Sequence, residues 1–228
     1  MQTIKLLLIA CLTSAYMMGQ DRPAYYPSTV GNAWEMQKFD AKDKLTSTNK
    51  TRVITMNPTV SGYDLELEVE NIDNKGKSTG KNNLVMKCEN GIFYFDMKSF
   101  MDPATMESYK EMDIAFDATN MEMPAGLQPG TSLKDASLTM TVTNQGIKMM
   151  TITTVITNRK VESEEQITVP AGTFTAWKIS YDVETKMMFK VKMHAVEYWV
   201  PGTGVVRTEN YNEKGKLVDY SVMSSLSK

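Results

Sequence analysis

Ile167-Thr168-Val169-Pro170-Ala171-Gly172-Thr173-Phe174 opens a stretch that runs on through Trp177 and Tyr181. It returns as Glu197-Tyr198-Trp199-Val200-Pro201-Gly202-Thr203-Gly204-Val205-Val206. From Thr173 to Glu184, Trp177, Ile179, Tyr181 and Val183 alternate with Lys178, Ser180, Asp182 and Glu184. That period of two marks a strand with one face buried and the other in water. Pro170 lacks an N–H and Gly172 tolerates positive φ, so Val169-Pro170-Ala171-Gly172 should turn the chain sharply into this strand. The whole stretch reads as two long paired strands between two Gly/Pro corners. In the second strand Met187, Phe189, Val191, Met193 and Ala195 share a face, and then the apolar set moves to Val196, Tyr198 and Val200. Such an inversion predicts a β-bulge or a sharp bend at Ala195-Val196.

Working outward, the same alternation recurs at Tyr63, Leu65, Leu67 and Val69, set against Asp64, Glu66, Glu68 and Glu70. Carboxylates at alternate positions lie about 7 Å apart and point into water, which suits a solvated face better than a calcium cage. Asp73-Asn74-Lys75-Gly76 and the similar Asn212-Glu213-Lys214-Gly215 signal hairpin turns, as do Glu89-Asn90-Gly91 and Asn144-Gln145-Gly146. Between Asp102 and Asp113 the pattern changes. Asp102 can cap, Pro103 suits a first helical position, and Met106, Tyr109 and Met112 recur at intervals of three, predicting one short amphipathic helix. From there to Gly130 the chain reads as a long loop with Pro124, Gly126, Pro129 and Gly130, of the kind that forms lids or binding loops.

The first 20 residues carry one charge, Lys5, then the apolar run Leu6 to Leu12 and small residues at Thr13, Ser14, Ala15 and Gly19. This is the form of a secretory signal peptide, too short for a membrane-spanning helix, with cleavage after Ala15 or after Gly19. Residues 21–228 then form a single β-rich domain, exported to the periplasm or beyond. Leu8-Ile9-Ala10-Cys11 also has the form of a lipobox, although the apolar Leu12 to Met18 would make a poor tether behind a lipidated Cys11. Without residues 1–20 the chain carries 24 basic side chains against 27 acidic ones. No basic field is left for nucleic acid. Cys88 is then the only cysteine, so no intrachain disulfide staples the domain.

Catalysis lacks parts. His194 is the only histidine, among Lys190 and Lys192 on the polar side of its strand, and no nucleophile elbow, phosphate loop or metal-spaced His/Cys cluster is present. The chain is expected to be no enzyme, with no catalytic residues, metal or cofactor. Methionine is the unusual feature: 19 in all, 16 of them beyond residue 20. Thioethers bind Cu(I), and Met121-Glu122-Met123 would be the best motif for it, but such a site calls for His or Cys nearby and neither is there. Methionine as a flexible filler of adaptable apolar pockets is the favoured reading.

The Val169-Pro170-Ala171-Gly172-Thr173-Phe174 turn, followed by Tyr198-Trp199-Val200-Pro201-Gly202-Thr203-Gly204-Val205-Val206, resembles the TapB-like exported proteins of Gram-negative bacteria. Tyr26-Pro27 with Gly31 and Trp34 is similar to that family's start, so the resemblance spans Tyr25 to Leu226. More distantly it is similar to the half-open barrels of lipoprotein carriers such as LolA and LolB, which implies a concave apolar face holding acyl chains under a helical lid.

The expected fold is all-β with one short helix: about ten strands in a strongly curved antiparallel sheet, forming an open or half β-barrel. The expected function is a binding or carrier module for an apolar, lipid-like or amphipathic ligand in the envelope. Trp177, Tyr181, Met187, Phe189, Met193 and Trp199 would line its site, and Met106, Tyr109, Met112, Met121 and Met123 would form the lid. The alternative is a structural or interaction protein of the envelope that docks a protein partner and has a filled core.

Overall fold

The computed structural model describes residues 25–101 and 103–227. The expected signal segment, Cys11, both expected cleavage positions and the expected capping residue Asp102 lie outside the described residues. The described residues form thirteen strands: β1 (Ala33–Asp40), β2 (Leu45–Pro58), β3 (Gly62–Asp73), β4 (Ser78–Glu89), β5 (Ile92–Phe95), β6 (Asp113–Thr119), β7 (Met121–Pro124), β8 (Ala136–Asn144), β9 (Ile147–Val169), β10 (Gly172–Lys186), β11 (Lys190–Val200), β12 (Gly204–Asn212) and β13 (Leu217–Ser227). A 3-10 turn (Met97–Phe100) and a short helix α1 (Pro103–Ser108) interrupt them. All thirteen strands join one antiparallel sheet in the order β6-β8-β9-β10-β11-β12-β13-β1-β2-β3-β4-β5-β7.

The two outermost strands of that sheet, β6 and β7, are separated by a single residue, Asn120. β6 pairs with β8 on one side of the molecule, and β7 pairs with β5 on the other. The chain thus changes partners in mid-run, and the sheet must curl almost into a barrel with one unsealed seam. The long loop expected from Asp113 to Gly130 is therefore mostly strand. Ile114, Phe116 and Ala118, then Met121 and Met123, alternate with more exposed residues, with Met121 and Met123 fully in the core.

Arg159 on β9 bridges the seam. It is 2% exposed, and its Nη1 donates to the carbonyls of Glu122 (3.0 Å) and Lys134 (2.7 Å). Beside it the backbone of Leu133 and Val161 bonds to Arg159 and Thr131. A buried cation costs several kcal/mol unless its hydrogen bonds are made; the two carbonyls offset part of that cost at Nη1, while Nε is buried without a partner.

Inside, the apolar faces of β3, β4, β5 and β7 meet: Leu65 and Leu67, Met86 and Cys88, Phe93 and Phe95, Met121 and Met123. Three outward acids of β3 are partnered on the surface: Glu68 by Arg52 (3.1 Å) and Lys81 (3.6 Å), Glu70 by Lys81 and Glu66 by Asn83. At the end of the barrel where the two Gly/Pro corners lie, Tyr25 and Tyr26 enter the interior. The Tyr26 ring stands 5.5 Å from Trp34, 5.8 Å from Phe93 and 5.8 Å from Trp199, and the Tyr25 hydroxyl donates to the Pro124 carbonyl. Gly204 has φ +91°, and a Cβ there would come within 2.5 Å of the Tyr26 ring. Only glycine lets this corner close over the ring.

The corner at Gly172 turns as expected, with φ +142°. The bend expected at Ala195-Val196 does not occur. β11 pairs with β10 without a register shift from Lys190 to Trp199, and its only shift against β12 falls at Tyr198/Trp199. Ala195, Glu197 and Trp199 stay on the inner face throughout. Val196, Tyr198 and Val200 are buried on the outer face as well, with the Lys178 ammonium over the Tyr198 ring and Val196 at the floor of a surface groove. Two buried faces look like an inverted alternation.

Candidate functional site

Across the outer face of β10, β11 and β12 lies a groove of about 770 Å³, lined among others by Lys178, Asp182, Lys192, His194, Glu209 and Tyr211. Register builds it. Asp182 stands opposite His194, and His194 opposite Tyr211, so three neighbouring strands place an acid, an imidazole and a phenol in one row. The Asp182 carboxylate is 2.9 Å from His194 Nδ1 and accepts from Asn158 Nδ2 at 2.8 Å. The Asn158 amide, and then His194, hold its pKa below the usual carboxylate range. Asn158 reaches Asp182 from a φ of +54°, where β9 and β10 lose their regular register. Glu209 accepts from the Tyr211 hydroxyl (2.6 Å) and from Arg207 Nε (2.7 Å), and the first of these pushes the Tyr211 pKa up to about 12. The Lys178 ammonium lies 5.7 Å from the Tyr198 ring centroid. The lining holds both charge signs, an imidazole and a phenol, but no serine or cysteine. These groups can offer hydrogen bonds and charge of both signs to a polar molecule.

A second polar cluster sits on the inner face. Glu197 accepts from the Tyr181 hydroxyl (2.8 Å) and from Trp199 Nε1 (2.7 Å), deep among protein atoms although part of its surface still meets solvent. Burial pushes its pKa up, against the lowering effect of both hydrogen bonds and of Arg159. The folded protein therefore holds this proton more tightly than the unfolded chain. The stabilising contribution is greatest below the ordinary carboxylate value of 4.5 and declines as pH rises through the higher folded value. Glu197→Gln removes that decline. Relative to the parent, the variant should gain stability as pH is raised from acid to neutral, read as urea midpoints; parallel curves would show that this carboxyl is not shifted.

Of the residues expected to line an apolar site, Trp177, Tyr181 and Trp199 do share the inner face, but Trp199 is 2% exposed and wedged against Tyr25, Tyr26 and Phe95. Met187 and Phe189 are 51% and 80% exposed at the β10–β11 hairpin tip, away from any interior, because β10 ends at Lys186 and β11 begins at Lys190. Met193 borders the outer groove. Of the expected lid, Met106, Tyr109 and Met112 are half-buried beside α1, the Tyr109 hydroxyl lying 3.7 Å from Met150 Sδ. Met121 and Met123 are core residues of β7, so neither belongs to a movable cover. The groove itself was not anticipated. Its only signal was the outward row Lys178, Ser180, Asp182 and Glu184 with His194 on the polar side of its strand, and which residues stand opposite one another depends on register.

Compared with known families, residues 29–223 match the DUF3108-like family. The chain belongs to it. The match contains both Gly/Pro corners and almost the whole sheet of this DUF3108-like protein. Among solved structures, it is similar to a protein from Bacteroides fragilis described as exported and as having a YmcC-like fold. That likeness has 24% identity and a TM-score of 0.73, over 90% of this chain and 100% of the other. It is also similar to a protein from Parabacteroides distasonis described as a lipoprotein, with 25% identity and a TM-score of 0.75, over 91% and 100% of the two chains. No curated protein matches this DUF3108-like chain.

Proposed function

We propose that this DUF3108-like protein is an exported, non-catalytic binding module of the cell envelope that takes a polar ligand on the outer groove of β10–β12. The observation that carries this reading is the position of the space. The barrel interior at the corner end is occupied by Tyr25, Tyr26, Trp34, Phe93, Phe95 and Trp199, while the groove offers about 770 Å³ lined by Asp182, His194, Lys192, Glu209 and Tyr211. Volumes of roughly 300 to 1,000 Å³ are usual for small-molecule sites. Mixed charges with a phenol and an imidazole suit a ligand carrying hydroxyl, carboxylate and amino groups. An acyl chain, expected from the resemblance to LolA and LolB, would meet aromatic side chains at the corner end of the barrel. Support for export comes from the amino-terminal segment and from the two structural relatives described as exported or as a lipoprotein.

Native mass spectrometry of protein purified from its own envelope tests the reading, with the His194→Ala, Tyr211→Ala double variant as control. A polar adduct lost in the double variant is the expected result. A lipid mass that survives in it would return the ligand to the interior and overturn the proposal.

A further inference from the structure

Antiparallel pairing puts five hairpin tips at one end of the sheet, opposite the Gly/Pro corners: those joining β1 to β2, β3 to β4, β8 to β9, β10 to β11 and β12 to β13. Three of them share one construction. In Asp40-Ala41-Lys42-Asp43-Lys44, Asp73-Asn74-Lys75-Gly76-Lys77 and Asn212-Glu213-Lys214-Gly215-Lys216, the first side chain accepts through Oδ1 from the backbone N–H groups of the third and fifth residues. The third and fifth residues are lysine every time. Turns fixed in this way hold the carriers of those lysines in defined positions at the rim.

The other two tips carry apolar side chains in water. Met187, Met188 and Phe189 are 51%, 83% and 80% exposed between Lys186 and Lys190, and on the neighbouring hairpin Ile147 and Met149 are 68% and 58% exposed on either side of Lys148. Taken over residues 40–44, 73–77, 144–149, 184–192 and 212–216, the tips hold ten lysines against five carboxylates, in a chain whose net charge is −2. Adding Glu111 and Asp113, just before and at the start of β6, leaves the end basic. Large apolar side chains left in water at a basic rim fit an interface with an apolar phase beneath an anionic surface.

We infer that the hairpin-tip end docks on a membrane surface bearing anionic headgroups, with Met187, Met188 and Phe189 entering the acyl boundary and the paired lysines of the three like turns on the headgroups. Either element alone would be a weak tether. Shallow insertion of a few side chains is reversible, and lysine contacts are lost in salt. Together they orient the barrel with its corners and the entry of Tyr25 directed away from the bilayer.

The test is co-sedimentation of the full chain with phosphatidylcholine vesicles, with and without phosphatidylglycerol. Binding should require phosphatidylglycerol and weaken with salt. It should fall about tenfold or more in Met187→Ser, Met188→Ser, Phe189→Ser, and similarly in Lys42→Glu, Lys44→Glu, Lys75→Glu, Lys77→Glu. All seven positions are exposed, so circular dichroism should show both variants folded. A Phe189→Trp reporter should shift its emission to the blue on vesicle addition. Failure of the parent to bind, or binding that the serine variant leaves intact, would overturn the inference. Loss in the lysine variant alone, with no blue shift, would mark the rim as a site for a soluble polyanion and overturn it too. Neither substituted set includes a groove residue named above, so these outcomes are separate from those for the polar ligand.

Discussion

Trp199→Ala should lower the stability of the protein by about 3 to 5 kcal/mol, the range for removing a fully buried aromatic side chain from a well-packed core. The indole has ring neighbours on three sides, Tyr25 at 6.2 Å, Tyr26 at 5.8 Å and Phe95 at 5.4 Å, and its Nε1 donates to Glu197. Truncation leaves a cavity and also removes one of the two side-chain donors holding the Glu197 carboxylate. Phe189→Ala removes a side chain that is 80% exposed and should stay within about 0.5 kcal/mol of the parent. Urea denaturation of the two variants side by side checks the difference. Similar losses in both would mean that the interior at Trp199 is loosely filled, and the argument against an internal acyl chain would lose its basis.

Gly62→Ala should cost about 3 kcal/mol or more, by a route that involves no cavity. A Cβ at Gly62 would lie 1.7 Å from the carbonyl oxygen of Cys88 and 2.6 Å from its carbonyl carbon, which are backbone atoms of the paired strand. No side chain can swing aside to relieve the clash, so β3 and β4 must separate at the end where Gly62 faces Glu89. Calorimetry should show the loss. Hydrogen exchange should locate it in the amides around Ser61, Asn90 and Ala125, which carry the local turn bonds. An unchanged melting temperature would show that the two backbones are not so close.

Much of the sheet could be read from local pattern. Tyr63 to Val69 and Trp177 to Val183 alternate cleanly because each has one inner and one outer face, and the turns at Asp73 and Asn212 announce themselves by residue type. Residues 113–124 escaped notice for a physical reason. Alanine, methionine and aspartate are weak strand formers, and here strand conformation is imposed by pairing with β8 and then β5, partners that no local window contains. The apparent face change at Ala195-Val196 misled for a related reason: Val196 and Tyr198 are buried on the outer face beside side chains of other strands, Lys178 of β10 over the Tyr198 ring among them. The groove was illegible in the same way. Each of Asp182, His194 and Tyr211 alone reads as a solvated polar residue, and only register sets them in a row.

The pairing of β1 with β13 also sets a timetable. Ala33 meets Ser227 and Asp40 meets Asp219, so the first strand waits for the last. A ribosome releases the amino terminus first, and Tyr25 and Tyr26 leave it long before Trp199 and Gly204, the residues they lodge against, have been made. Until Leu217–Ser227 is available, β1 has only β2 beside it and the aromatic end-piece has no finished wall to rest on. Contacts so distant along the chain form late and slowly. A chain cut short before Leu217 would leave β1 with an open edge where β13 now pairs.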